Sequence, residues 1–151
     1  MTSLGFAHRA VRRGLLCSAA LACTMLVLTA AAQQTFKVRL RPVPIEASTA
    51  ATTTGAGEAT ASLSGRRLTL RGSFEGLKGP ATGARLHQGP VMGVRGAAFA
   101  DVNVPAATSG SFSAEITLSQ AQVEALRRRQ VYLQIHSEAA PDGNLWGWLL
   151  P

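Results

Sequence analysis

The sequence predicts an all-β domain: an antiparallel, Greek-key-like β-sandwich of about eight strands, with one short helix near residues 120–130. Three observations carry that expectation. After residue 32 the chain holds 13 glycines and 7 prolines, spread through its length, which leaves little room for long helices. Between those breaks apolar and polar residues alternate with the period of a strand. Both cysteines, Cys17 and Cys23, lie before residue 32, so the region that follows has no disulfide and must be held by packing.

The elements follow in order. Phe36, Val38 and Leu40 alternate with Lys37, Arg39 and Arg41, and the strand stops at Pro42-Val43-Pro44. Ala47 to Gly57 is a run of small polar residues and reads as a loop. A weaker strand covers Glu58 to Ser64. In the next, Leu68, Leu70, Gly72 and Phe74 share one face, opposite Arg67, Thr69, Arg71 and Ser73. Ala84 to Gln88 forms another strand. Ala98, Ala100, Val102 and Val104 line one face of a fifth, and Phe112, Ala114 and Ile116 one face of a sixth. Ser119 followed by Gln122 has the capping-box spacing, and opens a helix over Gln120–Gln130 with Val123 and Leu126 on one stripe. Arg127, Arg128 and Arg129 fall in its last turn, where cations suit the negative end of the helix dipole. Val131, Leu133 and Ile135 then point one way, and Tyr132, Gln134 and His136 the other. The last strand runs through Leu145-Trp146-Gly147-Trp148-Leu149-Leu150, and its paired indoles are expected to complete the core.

Residues 1–32 have the layout of a secretory signal peptide. Arg9, Arg12 and Arg13 supply the basic start, Leu15 to Leu28 the apolar stretch, and Thr29 to Ala32 the small residues before a cleavage site after Ala32. An uncleaved N-terminal membrane anchor is one alternative, since the uncharged run Leu15–Ala32 is 18 residues long. A lipoprotein attached through Cys23 is the other. The domain itself is expected to be residues 33–151, exported to the periplasm or beyond the cell, with no membrane span after cleavage.

Charge sharpens this. The whole chain carries 15 basic and 8 acidic residues, a net +7; without the first 32 residues the balance is 12 against 8, or +4. Arg66, Arg67, Arg71 and Arg85 sit on strand exteriors with no interleaved aromatics, so a nucleic-acid partner is not expected. Only 15% of residues are charged and 46% are hydrophobic, which excludes a disordered basic tail.

Catalytic chemistry has few residues to draw on. His87 and His136 are the histidines left after residue 32, no cysteine nucleophile remains, and no G-x-S-x-G elbow or phosphate loop occurs. Gly93-Val94-Arg95-Gly96 lacks the lysine a phosphate loop needs. Two histidines cannot supply the three or four ligands of a zinc site unaided, although Glu138, Asp142 or Met92 could join them. Each histidine ends a strand and precedes a turn: His87 before Gln88-Gly89-Pro90, His136 before Ser137 and Pro141-Asp142-Gly143. If the two strands meet, Arg85, His87, Tyr132, Gln134, His136 and Asp142 form one polar cluster at an end of the sandwich, with Asn144 nearby. That cluster is the candidate binding surface. His136 holding its turn by a bond to a loop carbonyl is the competing reading.

At these residues the chain resembles a known family, the chordin-repeat or CHRD domain. The resemblance lies in Leu77, in Ala84-Arg85-Leu86-His87-Gln88-Gly89-Pro90 with Gly93, and in Gly110 with the strand that follows. It continues through Leu118-Ser119-Gln120-Ala121-Gln122-Val123 and Leu126. Its strongest part is Val131-Tyr132-Leu133-Gln134-Ile135-His136-Ser137 followed by Pro141-Asp142-Gly143-Asn144-Leu145-Trp146-Gly147. It spans about Val43 to Leu150. The resemblance implies a β-sandwich module of the kind found in extracellular chordin, which binds growth factors, and in exported bacterial proteins, with no enzymatic activity. Many members have His-x-His where this sequence has Arg85-Leu86-His87, so a metal site built on that pair loses a ligand here. In outline the sandwich also suggests copper/zinc superoxide dismutase, whose chemistry needs more imidazoles than this chain provides. The expectation is an exported, non-catalytic binding or structural module without a cofactor. Its partner would be an unidentified protein or envelope ligand. The alternative is a periplasmic metal-binding or redox-accessory protein using His87 and His136.

Overall fold

Alternating apolar residues give the chain one inward face on every strand, and the strands join into a single sheet around it. The structure is a computed structural model and describes residues 32–44 and 46–151. Residues 1–31 of the predicted signal peptide, with Cys17 and Cys23, lie outside the described residues. The strands are β1 (Gln34–Pro42), β2 (Ala56–Ser64), β3 (Arg67–Glu75), β4 (Ala81–Gln88), β5 (Ala97–Val102), β6 (Gly110–Thr117), β7 (Val131–Ser137) and β8 (Ala140–Trp148). One helix, α1 (Gln120–Arg127), sits between β6 and β7.

All strand pairs are antiparallel, in the order β5-β4-β7-β8-β1-β2-β3-β6. The two layers of the expected sandwich are therefore the halves β6-β3-β2-β1 and β8-β7-β4-β5 of one sheet. They are continuous where β1 meets β8, and β5 and β6 approach at the far edges, so the sheet nearly closes. The β1–β8 seam is short, with Arg41 opposite Trp146, Pro42 opposite Leu145 and a further bridge from Lys37 to Leu150. Gly147 makes the seam possible: a Cβ there would lie 2.6 Å from the Arg39 carbonyl oxygen and 2.7 Å from Val38 Cγ1.

The core is the union of the inward faces. Phe36, Val38 and Leu40 of β1, Leu68, Leu70 and Phe74 of β3, Leu86 of β4, Leu133 and Ile135 of β7 and Leu145 of β8 are all buried in one cluster. Helix α1 adds Val123, Ala125 and Leu126 to it. Its start is the predicted capping box: Ser119 Oγ accepts from the Gln122 N–H at 3.2 Å, and Gln122 Oε1 accepts from the Ser119 N–H at 2.7 Å. The helix ends at Arg127, earlier than the expected Gln130, because Arg129 turns into the left-handed region at φ 61°. The three arginines therefore do separate things. Arg127 donates to Gln34 Oε1 at 3.3 Å, Arg128 caps the helix and pairs with Glu124 at 3.7 Å, and Arg129 makes the turn.

Three expectations need correction. The alternation puts Ala98 on one face with Ala100, Val102 and Val104, but a bulge opposite Leu86 and His87 leaves Ala98 exposed, and Phe99 packs against the core with Ala100 and Val104. Pro141-Asp142-Gly143 is not the turn between the last two strands. The chain turns through Glu138 and Ala139, and Pro141 to Gly143 already belong to β8. Ser137 fixes that earlier turn, pairing with Ala140 in register and accepting its N–H on Oγ at 3.2 Å. Trp146 and Trp148 are not core residues. Leu145, Gly147 and Leu149 occupy the inner face of the strand, and period two sends the indoles to the outer face, half-buried.

Candidate binding face

β4, β7 and β8 lie side by side, and their register brings the outward residues into rows. His87 stands opposite Tyr132, and Tyr132 opposite Trp148; Arg85 stands opposite Gln134, and Gln134 opposite Trp146. His136 faces Gly83, whose missing side chain leaves that row open. The rings pack tightly across the rows. His87 stacks on Tyr132 at 4.8 Å between centroids and 14° between planes, and Tyr132 meets Trp148 at 4.7 Å. Trp146 stands edge-on to Tyr132 at 5.7 Å and to Trp148 at 5.9 Å. The centroids of His87 and His136 are 6.4 Å apart.

This platform is roofed by the connection from β4 to β5, residues 89–96. Tyr132 Oη accepts the Gly96 N–H at 3.1 Å and donates back to the Gly96 carbonyl at 3.3 Å. His87 Nδ1 lies 3.0 Å from the same carbonyl. The Gln130 side-chain amide donates to the Pro90 carbonyl, and the Gly89 N–H to the Gln130 carbonyl at 2.8 Å. Gly96 has no room for a Cβ, which would strike the Gln88 carbonyl, so the loop can close on the platform only through glycine. At its crest Val91, Met92 and Val94 point outward, about half exposed each.

The six candidate residues divide under this roof. Tyr132 and Gln134 are 1% and 2% exposed and act from within. Gln134 donates to the Asp142 carbonyl at 2.8 Å, and Arg95 of the loop reaches the same carbonyl at 3.4 Å. Asp142 is exposed, and it is this carbonyl that ties β8 to β7 and to the loop. Arg85 leans away toward β5, where its Nε donates to Asp101 Oδ1 at 3.1 Å in an exposed pair. His87 and His136 are partly buried. His136 Nδ1 lies 2.8 Å from the Pro141 carbonyl, so it holds the start of β8.

Because a carbonyl can only accept, both Nδ1 atoms carry a proton, and a ring in its neutral form presents its lone pair at Nε2. Both Nε2 atoms are buried and have no hydrogen-bond partner. Burial holds the His87 pKa below its ordinary value, opposed by the bond to Gly96 and assisted by the charges of His136, Arg85 and Arg95. Among the described residues no group of three or more His, Cys, Asp or Glu comes together to hold a metal ion.

A second polar cluster escaped the sequence reading. Ser137 and Asn144 are fully buried, Ser137 Oγ donates to Asn144 Oδ1 at 3.0 Å, and the Asn144 amide donates to the Thr54 carbonyl. The Asn144 carbonyl also takes the Val43 N–H at 3.1 Å. This network ties the β7–β8 hairpin to the loop between β1 and β2. The available signal was the Ser and the Asn themselves, since a buried amide must find partners.

A nearly closed antiparallel sheet with one capped helix, and an aromatic face roofed by a loop, define an all-β module. The model of the CHRD domain family matches residues 31–149, nearly all of the chain after the predicted signal peptide. The chain belongs to that family. No curated protein and no solved structure matches it. No helix among the described residues is long and apolar enough to cross a membrane.

Proposed function

We propose that the chain is an exported, non-catalytic binding module that meets its partner through the outer face of β4, β7 and β8 and the loop over it. One observation carries this reading. Every large hydrophobic side chain that stands exposed among the described residues (Val91, Met92, Val94 and Leu150) belongs to this loop or to the chain end after β8. Apolar side chains gathered in one place on an otherwise polar surface mark a contact region. The loop is also held in place beforehand by Tyr132, His87 and Gln130, which lowers the entropy cost of recognition. Arg85, His136 and Asp142 form the polar side of the same face. Export is supported by the layout of Met1–Ala32 and by the extracellular members of the family. The absence of catalysis is supported by the inventory: no cysteine after residue 32, and two histidines whose Nδ1 atoms are committed to backbone carbonyls.

The test is a photo-crosslinking residue at position 92 in the producing cells, compared with one at Thr69 on the opposite half of the sheet. A discrete adduct is expected from position 92 and none from position 69. The same adducts from both positions would remove the reading.

A second reading is favoured by the unpartnered His87 and His136 Nε2 atoms. Two imidazoles, each oriented by a carbonyl on Nδ1 and left without a partner on Nε2, have the arrangement that metal-binding histidines adopt. With no carboxylate joining them, copper fits better than a four-coordinate structural zinc. Calorimetric titration should then show copper bound at micromolar concentration or tighter, and lost in both His87→Ala and His136→Ala. Binding that survives the double substitution would exclude it.

A further inference from the structure

Beside the roofed platform, β1 and β8 meet along a shallow groove of roughly 330 Å³. Trp146 and Trp148 line it together with Met92 from the loop and Leu150 from the chain end. Lys37, Arg39 and Arg41 line it from the β1 side. These three cations alternate along one strand, so they project to the same side at spacings of about 7 Å. All three are exposed. The ion pairs among the described residues involve Arg67, Arg85 and Arg128, and none of these three. Glu58 stands across from Arg39 on β2 but closes no ion pair with it.

We propose that this face seats on an anionic lipid bilayer, an inference that rests on the binding-module reading above and names the partner's class. Charge complementarity assigns the lipid phosphates to Lys37, Arg39 and Arg41. Indoles favour the boundary between headgroups and acyl chains, which fits the half-buried Trp146 and Trp148. Val91 and Met92, at 56% and 55% exposure, stand at the crest of the loop, where entering that boundary removes them from water. A soluble acidic polysaccharide in the groove would engage the cations, stack on the indoles and touch Met92, but would leave Val91 and Val94 in water. The bilayer uses all three features.

The chain's two tryptophans both lie in this groove, so their emission reports the seat itself even when residues 1–32 remain attached. The experiment adds vesicles of phosphatidylglycerol and phosphatidylcholine, or phosphatidylcholine alone, to the full chain. Anionic vesicles should shift the emission to the blue, and acyl-brominated lipids should quench it; neutral vesicles should do neither. Each cation near an anionic surface contributes about fivefold in affinity, so Lys37→Gln, Arg39→Gln and Arg41→Gln together should weaken binding about a hundredfold. Met92→Asp should abolish the quenching. These are exposed positions, and an unchanged melting curve confirms that the variants fold.

The proposal is overturned if the chain floats with vesicles while its tryptophans stay unquenched, or if neutral vesicles act as well as anionic ones. A sulfated polysaccharide that shifts the emission where vesicles do not would assign the face to that ligand and overturn it too. A specific crosslink from position 92 to a protein, with no lipid response, would leave the broader binding reading standing and remove this one.

Discussion

Strands β2 and β3 and strands β7 and β8 carry the same inward pattern: Leu68 and Leu70 on one half of the sheet are matched by Leu133 and Ile135 on the other. Their outward faces differ. β3 presents Arg67, Thr69, Arg71 and Ser73, none of them buried, and its Arg67–Glu115 pair is exposed on both sides. β7 presents Tyr132, Gln134 and His136, the first two almost wholly buried beneath the 89–96 loop and the Asp142 carbonyl. One half thus has a core on one side only. The other builds a second, smaller interior on its outer side from aromatic stacking and hydrogen bonds to loop backbone. A sandwich layer does not need a roof to fold, so the covered half is where the molecule carries structure beyond the needs of its core.

Substitutions can break that comparison. Leu133→Ala and Leu70→Ala, both fully buried, should each cost about 3 kcal/mol, because the inner faces of the two halves are equivalent. Urea denaturation reads this directly, and a large difference between the two would show that the halves are not equivalent inside. The outer faces should diverge. Tyr132→Phe keeps the ring stack and removes the hydroxyl that holds both polar groups of Gly96, at a cost of about 1 kcal/mol. Thr69→Val, at the corresponding outward place on β3, should stay within about 0.5 kcal/mol of the parent. Hydrogen exchange should sharpen the contrast: Tyr132→Phe should raise exchange at the Gly96 amide before the core loosens. An unchanged Gly96 amide would mean that Gln130 and His87 hold the loop without the tyrosine.

The inner faces were legible in the sequence because local alternation decides them. Phe36-Val38-Leu40 and Leu68-Leu70 need no knowledge of their partners to be assigned inward, and the Ser119–Gln122 cap lies within one helical turn. The outer face was not legible to the same depth. That His87, Tyr132 and Trp148 form one row depends on pairings that join residues 45 and 16 positions apart, which no local pattern encodes. The indoles looked like core because large aromatics usually are, yet Leu145 and Leu149 had already claimed the inner side of β8. Pro141-Asp142-Gly143 has the composition of a turn, but the Ser137 hydroxyl closes the hairpin three residues sooner. The loop of residues 89–96 was the largest omission. Its signals were the bracketing Gly89 and Gly96, both without space for a side chain, and a tyrosine on a buried strand that had to find a partner.

The smallest effect concerns protons, and it tests whether the roof is an interior in the physical sense. His87 is held below its ordinary pKa chiefly by burial, so the folded protein favours the neutral ring more than the unfolded chain does. Its contribution is present in full above the unfolded value of about 6.5, and is lost as the pH falls from there through the lower folded value. With a chelator present to exclude metal, stability should therefore decline from pH 7 toward pH 5. His87→Gln should flatten this part of the profile, since an amide can keep a bond to the Gly96 carbonyl without titrating. Arg85 and Arg95, which face the ring together with His136, act in the same direction, so Arg95→Gln should shift the midpoint upward while leaving the decline in place. A profile that His87→Gln leaves unchanged would mean that the ring is hydrated beneath the loop. The outer face of β4 and β7 would then be a surface with a loop lying on it, and its difference from β3 would be one of shape alone.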